Sequence, residues 1–153
     1  MILDKGDKDI FDRVVIIIRG CSGSNKSTFA EYIAEFAREA MDNDYCVVVC
    51  SADDYFIKDG IYKFDKQKIS LAHAKCRDKF TEAIEKKTPL IIVANTNVRT
   101  KEFQFYVDWA KENDYKIFVI VMENYNNSKD IHGCPEETLI KQEQLLRENL
   151  KLR

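Results

Sequence analysis

The chain has 153 residues, 45% of them hydrophobic and 33% charged, which leaves room for one domain with one core and excludes a second catalytic domain. Its formal net charge of -2 excludes a surface that is basic overall, so contact with a nucleic acid would need a local basic patch. The charged start and the short apolar run after it predict neither a secretory leader nor a membrane span. We expect a soluble, cytoplasmic protein with a polar extension over residues 1–12 and a single domain over residues 13–153.

Four apolar runs rich in β-branched residues alternate along the chain with longer amphipathic stretches. Runs that are apolar throughout are typical of central parallel strands covered on both faces. The predicted strands are Val14–Arg19, Cys46–Ser51, Leu90–Ala94 and Lys116–Met122. The predicted helices run from Ser27 to about Met41, from Asp65 to about Lys86, from Thr100 to about Asn113, and onward from about Pro135.

This alternation predicts an α/β fold, a three-layer sandwich with a mainly parallel sheet of four to five strands and helices on both faces. The second and third helices each show one apolar stripe, formed by Ile69, Ala72, Cys76, Phe80, Ala83 and Ile84, and by Phe103, Tyr106, Val107 and Ala110. In open α/β sheets, ligands bind beyond the carboxyl ends of the strands. The polar residues after each strand are therefore the candidate site.

The loop after the first strand matches most of a phosphate-binding pattern. Residues 20–27 read GCSGSNKS and fit G-x-x-x-x-G-K-[ST] except at Asn25, where the pattern has glycine. Such a loop must leave a buried strand and enter a helix, as this one is predicted to do. Asparagine accepts the left-handed backbone conformation more readily than other non-glycine residues, so we expect the loop to keep its shape. The alternative is a Gly/Ser turn that only joins strand to helix.

The pattern assigns a chemical role to several residues of this loop. Lys26 would contact the β- and γ-phosphates of ATP or another nucleoside triphosphate, and the Ser27 hydroxyl would bind Mg²⁺. Backbone amides at the start of the following helix would add their dipole to phosphate binding. The predicted nucleotide-binding residues are Gly20, Cys21, Ser22, Gly23, Ser24, Asn25, Lys26, Ser27 and Thr28.

Polar residues also follow the second and third strands, at the same edge of the predicted sheet. Asp53 and Asp54 come after the second strand, and one carboxylate could deprotonate an attacking hydroxyl while the other is structural. Asn95, Thr96 and Asn97 come directly after the third strand. Both groups could instead be ordinary capping or turn residues.

These segments together resemble a known family. The motifs GCSGSNKST, then SADDYF followed by GIYKFD and LAHAKC, then IIVANTN and HGCPEE, look like the P-loop kinase domains of bacteriophage-type polynucleotide 5′-hydroxyl kinases. They resemble still more closely the kinase-like domain of the vertebrate ubiquitin-ligase-binding proteins. The resemblance covers about residues 13–150 and implies a P-loop NTPase sandwich.

The resemblance also implies a role for each polar group. Asp53 would be the base that accepts the proton of a 5′-hydroxyl, and Lys26 would act with it at the transferring phosphate. Ser27 would lie at the metal. The acceptor, a single-stranded RNA or DNA 5′ end, would contact Asp54, Tyr55, Thr96 and Asn97.

Three departures from the family pattern bear on activity. The family has an acid beside its Thr-Asn pair, where this chain has Ala94 and Asn95. The phage-type enzymes have an arginine shortly after Asp-Asp-Tyr, where Phe56 stands and could at best stack on a base. The family also has an arginine in the lid before His-Gly-x-Pro, and here Lys129 and His132 are the candidates to replace it.

Two classes of function follow. The first is an ATP- and Mg²⁺-dependent kinase that phosphorylates the 5′-hydroxyl of RNA or DNA, or the hydroxyl of a small molecule. The second is a degenerate kinase domain that binds nucleotide or an RNA end without turnover, which the departures and Asn25 favour.

His73 is either a packed histidine or a catalytic one. A phosphate-tracking face, or merely a solvated one, is formed by Lys66, Lys68, Lys75, Arg77 and Lys79.

Overall fold

The structure, a computed structural model, describes residues 12–125 and 133–150 of the chain. In chain order its elements are β1 (Val14–Arg19), α1 (Lys26–Met41), β2 (Val47–Cys50), β3 (Ile57–Lys58), β4 (Ile61–Tyr62), α2 (Ile69–Glu85), β5 (Leu90–Ala94), α3 (Thr100–Glu112), β6 (Lys116–Val121) and α4 (Glu136–Glu148). Short 3-10 turns over Ala52–Phe56 and Lys66–Lys68 precede β3 and α2. The predicted polar extension lies outside the described residues except for Asp12.

The four apolar runs form one parallel sheet in the order β2-β5-β1-β6. β1 lies inside the sheet, where Val14 pairs with Leu90 of β5 on one side and with Lys116 of β6 on the other. The four predicted strands are confirmed, with ends that differ by at most one residue. Because parallel strands end at a common edge, the loops after β1, β2 and β5 meet there.

Helices cover both faces of this sheet, as the predicted three-layer sandwich requires. α1 packs on one face through three buried alanines, Ala30, Ala34 and Ala37, whose small side chains let the helix approach closely. α2 and α3 pack on the other face through the predicted apolar stripes, which are buried apart from the partly buried Ile69. The predicted P-loop type α/β fold is confirmed. None of the described helices combines the length and apolar composition needed to cross a lipid bilayer.

Two strands, β6 and β2, differ from the prediction that all four strands are central. β6 forms an edge of the sheet, and Phe118 and Val119, on its two faces, are 55% and 45% exposed. β2 forms the opposite edge. The apolar composition of a strand does not identify its neighbours, because it reflects side-chain properties and not backbone pairing.

A short hairpin between β2 and α2 was not predicted. β3 and β4 are joined by Asp59 and Gly60, which have positive φ angles of 52° and 74°. An Asp-Gly pair flanked by apolar residues favours this kind of tight turn, so the sequence did contain the signal. The hairpin returns Tyr62 to the residues that follow β2.

Candidate active site

The loop after β1 has the backbone conformation that an anion-binding loop requires. Asn25 has φ 63° and ψ 26°, which is the left-handed conformation, and Gly23 also has a positive φ of 80°. A left-handed residue beside right-handed ones turns successive N–H groups toward one point. The prediction that asparagine would accept the conformation of the missing glycine is confirmed.

Gly20 opens the loop at a point where a side chain would not fit. A Cβ atom there would lie 2.6 Å from Ser24 Oγ and 2.7 Å from the Met122 carbonyl oxygen. The Gly20 amide donates a hydrogen bond to the Thr96 carbonyl oxygen at 3.0 Å. The glycine therefore lets the segments after β1, β5 and β6 approach one another closely.

Lys26 begins α1, and its side chain curls back over the loop. Its Nζ donates to the Cys21 carbonyl oxygen at 2.7 Å and lies 3.5 Å from Ser24 Oγ. The first turn of α1 carries no acidic residue, so the helix itself places no carboxylate at the positive end of its dipole. A lysine beside a helix N-terminus forms a suitable site for a phosphate chain.

Asp53 and Asp54 have different surroundings, although they are adjacent. Ser51 caps their turn, because its Oγ accepts a hydrogen bond from the Asp53 backbone N at 3.3 Å. The Asp53 carboxylate accepts a hydrogen bond from the Tyr62 hydroxyl at 3.3 Å. The Asp54 carboxylate lies 3.6 Å from Lys79 Nζ. Partial burial raises the pKa of Asp54, and Lys79 opposes that shift.

A cavity of about 310 Å³ lies along the outer edge of β2, between α1 and α2. We call it the edge cavity, and its polar lining residues are Ser27, Glu31, Arg38, Ser51, Asp54 and Lys79. Ser27 and Asp54 thus line the same cavity. Oxygen ligands of these two kinds suit a hard cation such as Mg²⁺.

The three residues after β5 serve different purposes. Asn95 is buried, and its side-chain oxygen accepts a hydrogen bond from the Ala52 backbone N at 2.8 Å, which joins the ends of β5 and β2. Asn97 is 3% exposed, and its side-chain amide donates to the Ile18 carbonyl oxygen at 3.1 Å. This burial favours a structural role for Asn97 over the predicted acceptor contact. Thr96 is partly exposed and stays a predicted acceptor contact.

Arg19, the last residue of β1, supports the site and was missed by the sequence analysis. It is 5% exposed, and its guanidinium donates to the carbonyl oxygens of Asn97 at 2.8 Å and Val98 at 3.1 Å. The guanidinium carbon also lies 4.6 Å from the centroid of the Phe103 ring. Arg19 therefore holds the segment after β5 against the start of the phosphate loop. The feature of the sequence that could have indicated this role is a charged residue at the end of an apolar strand.

Phe56 does not offer the stacking surface considered from the sequence. It is 5% exposed, and its ring centroid lies 5.4 Å from that of Tyr55, 6.1 Å from that of Tyr62 and 5.2 Å from that of Phe64. These aromatic contacts make Phe56 a core residue, because neighbouring rings cover it. Tyr55 is partly exposed and stays a predicted acceptor contact.

Three predicted candidates remain, the two lid residues and His73. Both lid candidates, Lys129 and His132, lie outside the described residues. His73 on α2 is partly buried, and this burial, together with Arg77, lowers its pKa while Glu102 and Asp53 oppose the shift. A lowered pKa is compatible with both roles predicted for His73.

A second cavity, of about 430 Å³, borders the loop on the side of β6 and α4. Its lining includes Cys21, Met122 and Leu139. The side-chain oxygen of Gln142, on α4, accepts a hydrogen bond from the Ser22 backbone N at 2.9 Å. This hydrogen bond connects α4 to the phosphate loop. The sequence alone does not identify Gln142 as a site residue, because an amphipathic pattern does not distinguish one glutamine among the polar residues of a helix.

Known proteins resemble this chain over the segment that includes the loop after β1 and the residues after β2 and β5. Residues 15–124 match a protein family described as AAA domain. NEDD4-binding protein 2 from Homo sapiens is 32% identical to this chain over 133 residues. That match covers 82% of this chain and 7% of the relative, so the chain spans only a small part of the relative's length.

Solved structures share the fold. A cysteine-to-alanine mutant of the APS kinase CysC from Mycobacterium tuberculosis has a TM-score of 0.53 at 13% identity, covering 89% of this chain and 98% of that chain. The Pnkp1/Rnl/Hen1 complex has a TM-score of 0.52 at 22% identity, covering 84% of this chain and 38% of that chain. Similarity at these identities establishes the fold alone.

Proposed function

Because the chain belongs to the P-loop protein family described as AAA domain, we propose that it transfers the γ-phosphate of ATP, or of another nucleoside triphosphate, to a hydroxyl group. The proposed acceptor is the 5′-hydroxyl of a single-stranded RNA or DNA end. The observation that carries the proposal is the left-handed conformation of Asn25, which keeps the loop in the form that binds phosphate. The choice of acceptor rests on the resemblance of the SADDYF and IIVANTN segments to polynucleotide 5′-hydroxyl kinases.

On the donor side, the loop amides and Lys26 would bind the triphosphate. The ammonium group of Lys26 donates to a neutral carbonyl in the structure, and an anionic phosphate oxygen is a stronger acceptor than that carbonyl. Donors already in position would stabilise the charge that spreads over the transferring phosphoryl group. The nucleobase of the triphosphate would occupy the second cavity, where Met122, Leu139 and Ile140 provide apolar surface.

On the acceptor side, Asp53 would act as the general base. Its carboxylate would take the proton of the attacking hydroxyl while the Tyr62 hydroxyl holds it in place. As the acceptor oxygen bonds to the γ-phosphorus, the bond from that phosphorus to the oxygen bridging it to the β-phosphate breaks. The products are a 5′-phosphorylated end and a nucleoside diphosphate, and the proton leaves on Asp53.

The proposed reaction needs Mg²⁺, and the phosphate-loop pattern offers Ser27, in the first turn of α1, as its ligand. Ser27 would hold the ion through its hydroxyl, with Asp54 as the carboxylate in the same cavity. When bound, the ion neutralises negative charge on the β- and γ-phosphates. Asn95 does not replace the family's acid, because it is an amide whose oxygen already accepts a hydrogen bond from Ala52.

A second candidate function is nucleotide binding without turnover. The absence of an acid at positions 94 and 95 and the burial of Phe56 favour it. In that case the loop would bind nucleotide in the same way, and Asp53 would be a structural residue. A kinase for a small-molecule hydroxyl would instead keep Asp53 as the base and leave polynucleotides unphosphorylated.

Transfer of label from γ-labelled ATP to 5′-hydroxyl RNA and DNA oligonucleotides, in the presence of Mg²⁺, tests the proposal. Label that is present with the wild type and absent with Lys26→Ala would support it. Lys86→Ala is the matched control, because Lys86 is exposed and pairs with Glu82 on the surface of α2. An unlabelled oligonucleotide, despite demonstrated ATP binding, would reject the polynucleotide acceptor and favour one of the alternatives.

A further inference from the structure

We propose that the open edge of β6 pairs with β6 of a second copy of this chain, in antiparallel orientation, around a two-fold axis at Val119. The sheets of the two copies then join into one. Among the described residues, β6 ends the sheet on its side. An open strand edge presents unpaired N–H and C=O groups, which are a template for pairing with another chain. The inference goes beyond the proposed function and does not depend on it, because it concerns a surface and not the reaction.

β6 carries exposed apolar side chains on both of its faces. Phe118 is 55% exposed, Val119 is 45% exposed and Val121 is 37% exposed. Parallel sheets are normally covered on both faces, and strands that are apolar throughout reflect that burial. The composition of β6 therefore indicates that a further polypeptide covers this edge of the sheet.

The strand itself carries nothing that hinders pairing at its edge. Edge strands of monomeric proteins are commonly protected by charged residues, by proline or by a bulge. Residues 117–122 read IFVIVM and contain neither a charge nor a proline. The pairing of β6 with β1 runs without interruption from Lys116 to Val121, so no bulge twists the edge away.

The hydrogen bonds of β6 to β1 determine which backbone groups point outward. The amides of Lys116 and Met122, near the two ends of the strand, each donate to a carbonyl oxygen of the β1 segment at 2.7 Å. Backbone groups of successive residues in a strand point to opposite edges, so those of Ile117, Val119 and Val121 point away from β1. A two-fold axis at Val119 places Val119 opposite its own copy and Ile117 opposite Val121. Each outward N–H and C=O then has a partner.

The side chains of β6 are self-complementary in this register. Phe118 lies opposite Ile120 of the second copy on one face, and Val119 lies opposite its own copy on the other. Apolar residues directly opposite each other stabilise antiparallel strand pairs. The two Lys116 side chains lie at opposite ends of the pair, so like charges do not face each other. A formal net charge of only -2 adds little repulsion between copies. These features favour a second copy over an unrelated strand.

A cavity of about 380 Å³ on the α3 side of β6 supports the same interface. Its apolar lining includes Phe103 and Val107 of α3 with Ile117, Val119 and Val121 of β6. The two-fold axis runs perpendicular to the sheet, so the cavities of the two copies become neighbours on one face. The antiparallel pairing directs the two phosphate loops to opposite edges of the joined sheet. Each candidate active site therefore stays open in the dimer.

Sedimentation equilibrium of the full chain tests the proposal. One strand pair forms a small interface, about 1,000 Å² in total, so the wild type should dimerise reversibly with a Kd of about 10–100 μM. Val119→Lys and Val119→Glu should each raise this Kd about 100-fold, because like charges meet at the two-fold axis. An equimolar mixture of the two variants should dimerise again, since a lysine then faces a glutamate.

Two further variants separate this contact from a general effect of surface charge. Leu71, on α2, is 45% exposed like Val119, so Leu71→Lys is the matched control and should keep the wild-type Kd. Phe118→Ser introduces no charge and removes the apolar contact with Ile120 of the second copy, so it should raise the Kd about tenfold. Thermal unfolding of each variant checks that the fold is unchanged.

Each other outcome overturns a stated part of the proposal. A wild type that stays monomeric at concentrations well above the expected Kd excludes a second copy as the partner of β6. Dimerisation that persists unchanged in both Val119 variants places the interface elsewhere. If the two variants stay monomeric when they are mixed, the two-fold axis at Val119 is wrong. None of these results bears on the proposed function, which the labelling of oligonucleotides tests separately.

Discussion

The loop after β1 and the segment after β5 lie side by side at one edge of the sheet, and they differ in how well the sequence pattern predicts the groups that face a ligand. The loop carries Asn25 where its pattern has glycine, yet its backbone keeps the left-handed conformation. The segment after β5 keeps the asparagines and threonine that resemble an acceptor site, yet Asn95 and Asn97 are buried and bonded to backbone groups.

The difference reflects which atoms would contact the ligand. The loop presents backbone N–H groups, so it depends on φ and ψ and tolerates a side chain that accepts those angles. The segments after β2 and β5 would act through side chains, and a side chain bonded within the protein interior is no longer available to a ligand. A sequence motif therefore predicts a binding role more safely where the backbone makes the contacts.

The largest expected effect concerns the segments that would act through side chains, and it is a loss of kcat. Asp53→Asn should lower kcat by about 10²–10⁴-fold, because it removes the general base and leaves the phosphate loop unchanged. Oligonucleotide labelling measures the rate, and titration with a fluorescent ATP analogue should show nearly unchanged affinity. Asp65→Asn is the control, because Asp65 caps the turn before α2 and asparagine caps equally well. Equal rates for wild type and Asp53→Asn would exclude Asp53 from the reaction.

Arg19 tests whether the two regions depend on each other. Arg19→Met should lower the free energy of unfolding by about 3 kcal/mol, because two hydrogen bonds from a charged group are lost at about 1.5 kcal/mol each. Urea denaturation measures the change. Arg147→Met is the control, since Arg147 is 74% exposed beside Glu143 and should change the value by less than about 0.5 kcal/mol. A similar loss for both variants would contradict the role given to Arg19.

Asn25 tests the claim that the loop depends on backbone angles. Asn25→Val should cost about 1–2 kcal/mol in the free energy of unfolding, because a β-branched residue adopts the left-handed conformation poorly whereas asparagine accepts it, and it should weaken ATP binding. Asn25→Gly should retain both stability and binding, because glycine adopts this conformation freely. Urea denaturation and ATP titration provide the two measurements. Unchanged behaviour of Asn25→Val would show that the angles do not matter.

Gln142 is expected to have the smallest effect, because it supports the loop through a single neutral hydrogen bond. Gln142→Leu should weaken ATP binding by about fivefold, equivalent to about 1 kcal/mol. Gln144→Leu is the matched control on the same helix, since Gln144 is exposed and bonds Glu148. If both variants bind ATP as the wild type does, α4 has no influence on the phosphate loop.

Much of the fold and part of the site could be predicted from the sequence alone. The four strands, the four helices and their apolar stripes follow from local periodicity, which is a property of neighbouring residues. The phosphate loop could be recognised for the same reason. Its spacing lies within eight residues, and the left-handed conformation of Asn25 is a local preference.

Only the tertiary structure decided which side chains are available to a ligand. Arg19 bonds Asn97, 78 positions away, and Gln142 bonds Ser22, 120 positions away, so no local pattern could connect them. The burial of Phe56, the edge position of β6 and the common cavity of Ser27, Asp54 and Lys79 are decided in the same way. Local propensity determines where strands and helices form, whereas the packing of distant segments determines which polar groups stay exposed to a ligand and which become part of the core.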